Sequence, residues 1–529
     1  MGEPQVLPLA PSSKGKKAKQ ILVEHGANEL IFAVVGHVGS GPGVIANSLR
    51  EILESPTGGS YDTTIIKASD KIKEWAKANS EPVPSEEKKL ANVRRLQDLG
   101  DKMREVDQSA VARTLINEIR LTRARKQKLS EIGDGPVTPD GKKRAYILES
   151  IRHPAEVHLL RSVYGASFTL VGVVCEESKC LERVRDKYSD AGTQAAKQFM
   201  SRDSKDSIKH GQRVADALHL SDFFVDNSVD RVESGKSPVD WTVNDELNRL
   251  VKIIAHAEIV RPRISETAMF EAHAAALRSA CLSRQVGACL VDAKGNIVAL
   301  GTNEVPKAGG GLYGENFVEE DSDGRCAYSP SPHCSNTAEQ NNMIGKIIKE
   351  LKETVPELKN KPEDNLKTLL RDSPIGALLE FSRAVHAEMD ALLTAGRKGV
   401  STVGTRMWVT TFPCHYCARH IVSAGVDEVQ YIEPYQKSKT LDLHNDSVTL
   451  EPTKDWTPPS EGKKGKDEKV FFHHFTGVAP SMYRRAFSKD RDLKDDNSGL
   501  MKIGDADWGS PWHLRRISYV EIEAVLARG

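Results

Sequence analysis

What this 529-residue chain lacks narrows it before any motif is considered. No apolar run approaches the roughly 20 residues that cross a bilayer. The opening stretch Met1–Lys19 is rich in Pro, Ser and Lys and has no apolar core of the secretory kind. Gly2 does not begin a myristoylation pattern, because Val6 stands where Ser or Thr is needed. A cytoplasmic protein with no membrane partner is expected. Cysteine is scarce, with eight residues and no disulfide-like spacing, which suits a reducing compartment. An excess of either charge is absent too: 74 Lys and Arg balance 74 Asp and Glu, leaving no overall basic field for a nucleic acid backbone. That balance argues for a small free substrate. There is no internal repeat.

Against this background one constellation stands out. His386-Ala387-Glu388 is followed, after a strand-like Met407–Thr411, by Pro413-Cys414-His415-Tyr416-Cys417. Cys414 and Cys417 alone would fit a redox pair or half of a structural zinc knuckle. With His386 they make a three-ligand zinc set that leaves one position for water. Glu388, two residues past the histidine, is placed to move protons and is not needed as a ligand. The order H-x-E then P-C-x-x-C is that of enzymes that hydrolyse the exocyclic amine of cytosine or adenine. Pro413 stops the strand and starts a helix that Gly425 closes, so both cysteines fall in a first turn, where free N–H groups favour thiolate. His386 and Glu388 open a second apolar-periodic segment, Val385–Leu393. Zinc lowers the pKa of its water from about 15.7 to about 7, and Glu388 would take that proton and return it to the substrate.

The stretch before the site reads AAALRSACLSRQVGACLVD from Ala274 to Asp292, then GNIVALGTNEVP from Gly295 to Pro306. This resembles the deoxycytidylate deaminase family. It predicts a helix, a hairpin turning at Lys294-Gly295-Asn296, and a loop at Gly301-Thr302-Asn303. The resemblance implies that Asn303 contacts the sugar, although a plain turn asparagine is the alternative. Ala387 and Thr411 are the further candidate substrate contacts beside the ligands. For phosphate the candidates are Lys437 with Ser438, and Lys307 with the glycines Gly309, Gly310 and Gly311, whose backbone can approach anionic oxygens. A solvated lysine is the alternative in both places.

The first half has a different character. Leu30–Val35 is a buried-strand pattern running into Gly36-His37-Val38-Gly39-Ser40-Gly41-Pro42-Gly43, with helical periodicity through Ile45, Leu49 and Ile52. This resembles a P-loop, but Pro42 and Gly43 replace the lysine that would reach phosphates and the hydroxyl that would hold magnesium. Gly36, Gly39, Ser40 and Gly41 remain candidate nucleotide contacts, and phosphoryl transfer is disfavoured. Arg144–Glu156 places a strand before a polar turn, where Glu149, Arg152 and His153 either face a nucleotide or only cap the turn. Ser167–Val174 and His219–Asn227 supply further strands, and strands alternating with helices imply a parallel sheet.

The expected fold class is therefore α/β: a P-loop kinase-like parallel-sheet domain followed by a cytidine-deaminase-like three-layer α/β/α domain. The expected boundaries are a tail at 1–28, the degenerate P-loop domain at 29–235, a linker at 236–262, and a deaminase domain at 263–529 with an insertion at 315–373. In that insertion Cys326, His333 and Cys334 either bind a second zinc with Cys281 or Cys289 or are ordinary thiols. Degenerate P-loop half and deaminase half together resemble the bacterial antiviral dCTP deaminases. What that resemblance implies is Zn2+ as cofactor, conversion of dCTP and dCMP to dUTP and dUMP, a homo-oligomer, and a possible nucleotide effector at the N-terminal domain. Two rivals stay open: a polynucleotide deaminase with the same zinc chemistry, for which Tyr416 and Tyr435 make a sparse stacking platform, and a nucleotide-sensing regulator whose zinc is structural.

Overall fold

The computed structural model describes residues 26–528 apart from 130–132, 189, 191, 207, 209, 230–241, 257, 315–322, 379–380, 436–437, 454–455, 463–467, 490–492, 503–513 and 516–517. Two compact units emerge: 1–262 together with 476–529, and 263–475. No helix among the described residues is long and apolar enough to cross a membrane.

In the first unit a two-residue strand, β1 (Gly26–Ala27), precedes the apolar run Glu29–Gly36, which forms β2 with every residue buried. Such a run suits a strand covered on both faces. It lies between β4 (Arg144–Ile151) and β5 (Phe168–Val174), parallel to both. β3 (Asp62–Lys67) continues the sheet on one side and β6 (Phe223–Asp226) on the other, again in parallel. The helix Pro42–Glu54 starts on a proline and lays Ile45, Leu49, Ile52 and Leu53 against Phe32 and Val34 of the sheet.

Two expected boundaries are corrected. Residues 476–529 belong to the first unit, not to a domain running from 263 to the end. β13 (Gly477–Val478) adds antiparallel to β6, and Val478, Met482 and Ala486 fill the same core. The helix Ser518–Arg528 brings Glu523 to Arg123, with both side chains fully buried. The expected linker 236–262 contains a helix, Thr242–Ala255, whose Val243, Leu247, Leu250 and Val251 are also core residues. Its apolar face is too wide to stay in solvent. The connection expected at Gly235–Trp241 lies outside the described residues.

The second unit has a sheet ordered β11 (Val448–Thr449), β12 (Val470–His474), β10 (Glu428–Glu433), β9 (Arg406–Thr411), β7 (Gly287–Val291), β8 (Ile297–Thr302). The first four are parallel; the β7–β8 hairpin joins antiparallel to β9. Helices cover both faces. A Cβ on Gly287 would lie 1.9 Å from Ala272 O of the helix Ile264–Ala276, whereas one on Gly301 would lie 2.0 Å from Ala387 O of the helix Ala387–Arg397. Gly301 pairs with Ala288, the residue after Gly287, so the two glycines point to opposite faces. The described part of the insertion forms two helices, Ser335–Thr354 and Glu363–Arg371, around Ile344, Ile348 and Leu366.

Candidate active site

His386 is the N-cap of the helix Ala387–Arg397, and Cys414 is the N-cap of the helix His415–Ser423. Two helix starts therefore meet at the C-terminal edge of β9, as the periodicity predicted. The meeting is fixed from several sides. Thr302 N–H donates to Asp390 Oδ2 at 3.0 Å, tying the first helix to the hairpin. Val385 N–H donates to Glu304 O at 3.0 Å. Ser438 Oγ and Thr440 Oγ1 donate to Pro413 O at 2.9 and 3.1 Å, holding the turn ahead of the cysteine helix.

The imidazole Nδ1 of His386 lies 3.4 Å from Cys414 Sγ and 3.3 Å from Cys417 Sγ. Their ligand atoms all fall within 4.8 Å of one another, the one such group among the described residues. A tetrahedral zinc with bonds of about 2.0–2.3 Å separates its N and S ligands by about 3.5 Å, so the side chains fit the ion. Hydrogen bonding to Cys417, then to His386, holds the Cys414 thiol down to about 4, and the same contact pushes Cys417 up. The hydrogen bond to Cys414 lifts His386 to about 9. Burial pushes the Glu388 carboxyl up to about 7. Glu388 is 4% exposed in the first turn of its helix.

A cavity of about 270 Å³ opens onto His386, Glu388 and Cys414. That is close to the lower end of the ~300–1,000 Å³ usual for small-molecule sites. Asn303, Ala387 and Thr411, the candidate substrate contacts, are among the residues that line it. Asn303 spends its amide on the neighbouring loop, Nδ2 donating to Arg284 O and Oδ1 accepting from Val286 N–H, both at 2.7 Å. Asn303 is buried, and the part of it that lines the cavity is what remains for a ligand.

The phosphate candidates fare differently. Lys307 and Ser438 are not among the cavity's lining residues. Lys307 closes a turn by donating its N–H to Gly311 O at 3.1 Å, and Ser438 is occupied by Pro413. Lys437 lies outside the described residues. The cationic side chains that do line the cavity are Arg284 and Arg383. Arg284 Nη1 reaches Glu433 Oε1 at 2.8 Å and its guanidinium lies over the Tyr435 ring. Sequence reading passed over Arg284 although it stands inside the quoted motif; a basic residue in the loop entering a hairpin beside Asn303 was the available signal. Arg383 carried no pattern.

Cys281, Cys326 and Cys334 also line the cavity, but no metal-sized group forms around them among the described residues. His333 is exposed, with its Nδ1 beside Ser331 O at 2.9 Å.

In the first unit Gly36 ends β2, and Gly39, Ser40 and Gly41 lie between it and the helix Pro42–Glu54. Gly41 is the left-handed N-cap, with φ 84°. The loop is largely self-satisfied: Val38 N–H donates to Asp203 Oδ2 at 2.8 Å, and Asn227 Nδ2 donates to Ser40 O at 2.7 Å. Glu149 stands over Gly43, where a Cβ would lie 2.7 Å from its Oε1. Arg152 pairs with Asp203 at 2.8 Å, and His153 caps the helix Pro154–Tyr164.

Residues 262–433 match the family model described as the cytidine and deoxycytidylate deaminase zinc-binding region. ComE operon protein 2 of Bacillus subtilis (strain 168) is 42% identical over 55 residues, 10% of this chain and 29% of that protein, so the chain spans well under two thirds of that relative. Deoxycytidylate deaminase of Enterobacteria phage T2 is 28% identical over 182 residues, 33% of this chain and 82% of that protein. Among solved structures, dCMP deaminase from the cyanophage S-TIM5, in complex with dCMP and dUMP, is 22% identical, with 35% of this chain and 93% of that chain covered and a TM-score of 0.21. The cofactor expected from the sequence, Zn2+, agrees with the matched zinc-binding region and with the fit of His386, Cys414 and Cys417.

Proposed function

We propose that the second unit hydrolyses the exocyclic amine of free deoxycytidine nucleotides, dCMP and dCTP, releasing ammonia and leaving dUMP and dUTP. The observation that carries this reading is the placement of a buried carboxyl, Glu388, in one cavity with a three-residue metal set. The matched family region and the deoxycytidylate deaminases among the relatives support the substrate class.

His386, Cys414 and Cys417 would hold zinc, which when bound supplies Lewis acidity and an activated water at neutral pH. Glu388 takes a proton from the attacking water and passes it to the ring nitrogen beside the reacting carbon; it then takes the remaining proton from the hydroxyl now on that carbon and delivers it to the amine, which leaves as ammonia as the carbonyl forms. Phe412 and Tyr435 give the cavity apolar walls for a base, and Asn303 offers an edge to the sugar. Arg284 and Arg383 are the cations for the phosphate end; the preference between mono- and triphosphate rests with them.

The wider role belongs to the same reading and is supported by the resemblance, over most of the chain, to the bacterial antiviral dCTP deaminases. Deamination of dCTP would starve phage DNA synthesis in the cytoplasm, in a homo-oligomer, with a nucleotide effector at the Gly36–Gly41 loop. Pro42 and Gly43, standing where the phosphate-reaching lysine and the magnesium-holding hydroxyl of a P-loop would be, favour sensing over phosphoryl transfer.

The test is a substrate panel on the full chain: dCMP, dCTP, CTP, deoxycytidine and single-stranded DNA, read as uracil product and ammonia. Turnover of dCMP or dCTP with untouched DNA is expected. Uracil in DNA with both nucleotides unchanged would overturn the reading in favour of a polynucleotide deaminase.

A further inference from the structure

The first unit carries a pair of thiols outside the deaminase chemistry. Cys175 follows β5, Cys180 lies in the helix Glu177–Lys187, and the two side chains hydrogen-bond each other. Arg183, three residues further along that helix, places Nη1 3.4 Å from Cys175 Sγ and 3.4 Å from Gly39 O. The glycine loop is pressed onto the same turn: Gly39 has φ 90°, and a Cβ there would lie 2.4 Å from Cys180 O.

The pair is asymmetric. Cys175 is half-buried and Cys180 buried. The hydrogen bond from Cys180, with Arg183 and Ser228 adding to it, holds Cys175 below the ordinary thiol range against burial and the opposing charge of Asp226 on β6. The same hydrogen bond and burial, with Glu177 adding, push Cys180 up. One sulfur is thus a cation-supported nucleophile, and its hydrogen-bonded neighbour keeps its proton. That is the arrangement of an attacking and a resolving cysteine.

We propose that Cys175 and Cys180 form a redox-active dithiol site that takes a hydroperoxide. The Cys175 sulfur attacks a peroxide oxygen with its electron pair, the O–O bond breaks, and the leaving alkoxide or hydroxide picks up a proton. Cys175 becomes a sulfenic acid, oxidised by two electrons as the peroxide is reduced. Cys180 then gives up its proton, its sulfur attacks the Cys175 sulfur, the S–O bond breaks, and water leaves. In sum, two thiols and one hydroperoxide give one disulfide, one alcohol or water, and one further water. Closing the bond needs the sulfurs to move from hydrogen-bonding distance to about 2.05 Å. The other buried thiols compete poorly: Cys414 and Cys417 belong to the metal set, and burial pushes Cys289 up to about 12.

The sequence makes the test direct, since Lys179 lies between the two cysteines and tryptic cleavage after it separates them unless a disulfide joins the fragments. The zinc-loaded full chain is treated with hydrogen peroxide, alkylated, digested and mapped by mass spectrometry. The expected result is a Cys175–Cys180 linked pair that forms ahead of any change at Cys281 or Cys326 and disappears on reduction. Cys180→Ser should leave a trappable sulfenic acid at Cys175, and Arg183→Gln should slow linkage at neutral pH by about tenfold. Cys175 and Cys180 both remaining open to alkylation, or Cys175 passing to sulfinic acid with no linked fragment, overturns the proposal. The mapping reads wild-type protein directly and is independent of deaminase turnover.

Discussion

Arg284 donates to Glu433 across 2.8 Å while its guanidinium lies 5.5 Å from the centre of the Tyr435 ring. A long cationic side chain at a cavity mouth is thereby held in one place, and the same carboxylate accepts from Thr411 Oγ1 at 3.1 Å on the cavity wall. If Arg284 meets the phosphate end of the substrate, removing it weakens binding without touching the reacting carbon. Arg284→Ala is expected to raise KM for dCMP about tenfold or more with kcat little changed. Deoxycytidine, which has no phosphate, provides the control: its KM should stay put. An equal rise for both substrates would mean that Arg284 only shapes the wall.

Glu388 and Cys417 separate chemistry from metal binding. Glu388 is not one of the grouped ligands, whereas Cys417 is. Glu388→Gln keeps the size and removes the proton acceptor, so turnover should fall by about 10²–10⁴ with zinc content unchanged. Cys417→Ala should lose zinc and turnover together. Metal analysis beside an ammonia assay reads both, and an active Glu388→Gln protein would remove the carboxyl from the mechanism.

The candidate site was the most legible part of the sequence because its residues are local to one another. His386 and Glu388 share one turn, Cys414 and Cys417 another, and a strand with a proline stop joins them. Asn303, Ala387 and Thr411 also reached the cavity, being bound to the same turns and strand ends. The cations that line the cavity were not legible, because they are brought together by the fold and not by spacing. Lys307 and Gly309–Gly311 make a composition suited to anions, yet the turn they form is not part of the cavity, while Arg284 is carried there by the loop into β7. The strands and the loop of the first unit followed from burial patterns. Its closing segment did not, because β13 is only two residues long and Glu523 reads as a surface glutamate until Arg123 is known to face it.

Gly301 tests how the hairpin positions the catalytic helix. A Cβ at this residue would lie 2.0 Å from Ala387 O and 2.4 Å from Ala391 N, both backbone atoms of the helix that begins beside His386. No rotamer change relieves such a contact; the helix must move away from β8. Gly301→Ala is expected to destabilise the second unit by about 1–3 kcal/mol and to lower zinc affinity as well. Thermal unfolding with metal titration checks it. A variant with wild-type stability and zinc affinity would show that the helix start is not held by this contact.

Arg123 gathers two carboxylates that lie far apart in the chain, with Nη2 2.8 Å from Glu29 Oε2 and Nη1 2.7 Å from Glu523 Oε2, and all three side chains are fully buried. Burial pushes the Glu523 carboxyl up against the pull of Arg123. Tyrosine hydroxyls add to these contacts: Tyr164 donates to Glu523 Oε1 at 2.7 Å, and Tyr519 donates at 3.0 Å to Glu29 Oε2, the oxygen that Arg123 also reaches. Removing Glu523 leaves Arg123 paired with Glu29 but takes the acceptor from buried Arg123 N–H groups and from the Tyr164 hydroxyl, each of which costs about 1–3 kcal/mol when left unsatisfied. Replacing charged partners together with apolar groups is often neutral, because desolvation offsets the attraction. Glu523→Ala should therefore speed hydrogen exchange in the helix Ser518–Arg528 and lower the urea midpoint of the first unit. Adding Arg123→Met and Glu29→Gln to it should recover part of the loss. Equal or greater instability of the triple variant would show that the buried charges bind the C-terminal helix through net attraction, and that matching one another is not the main requirement.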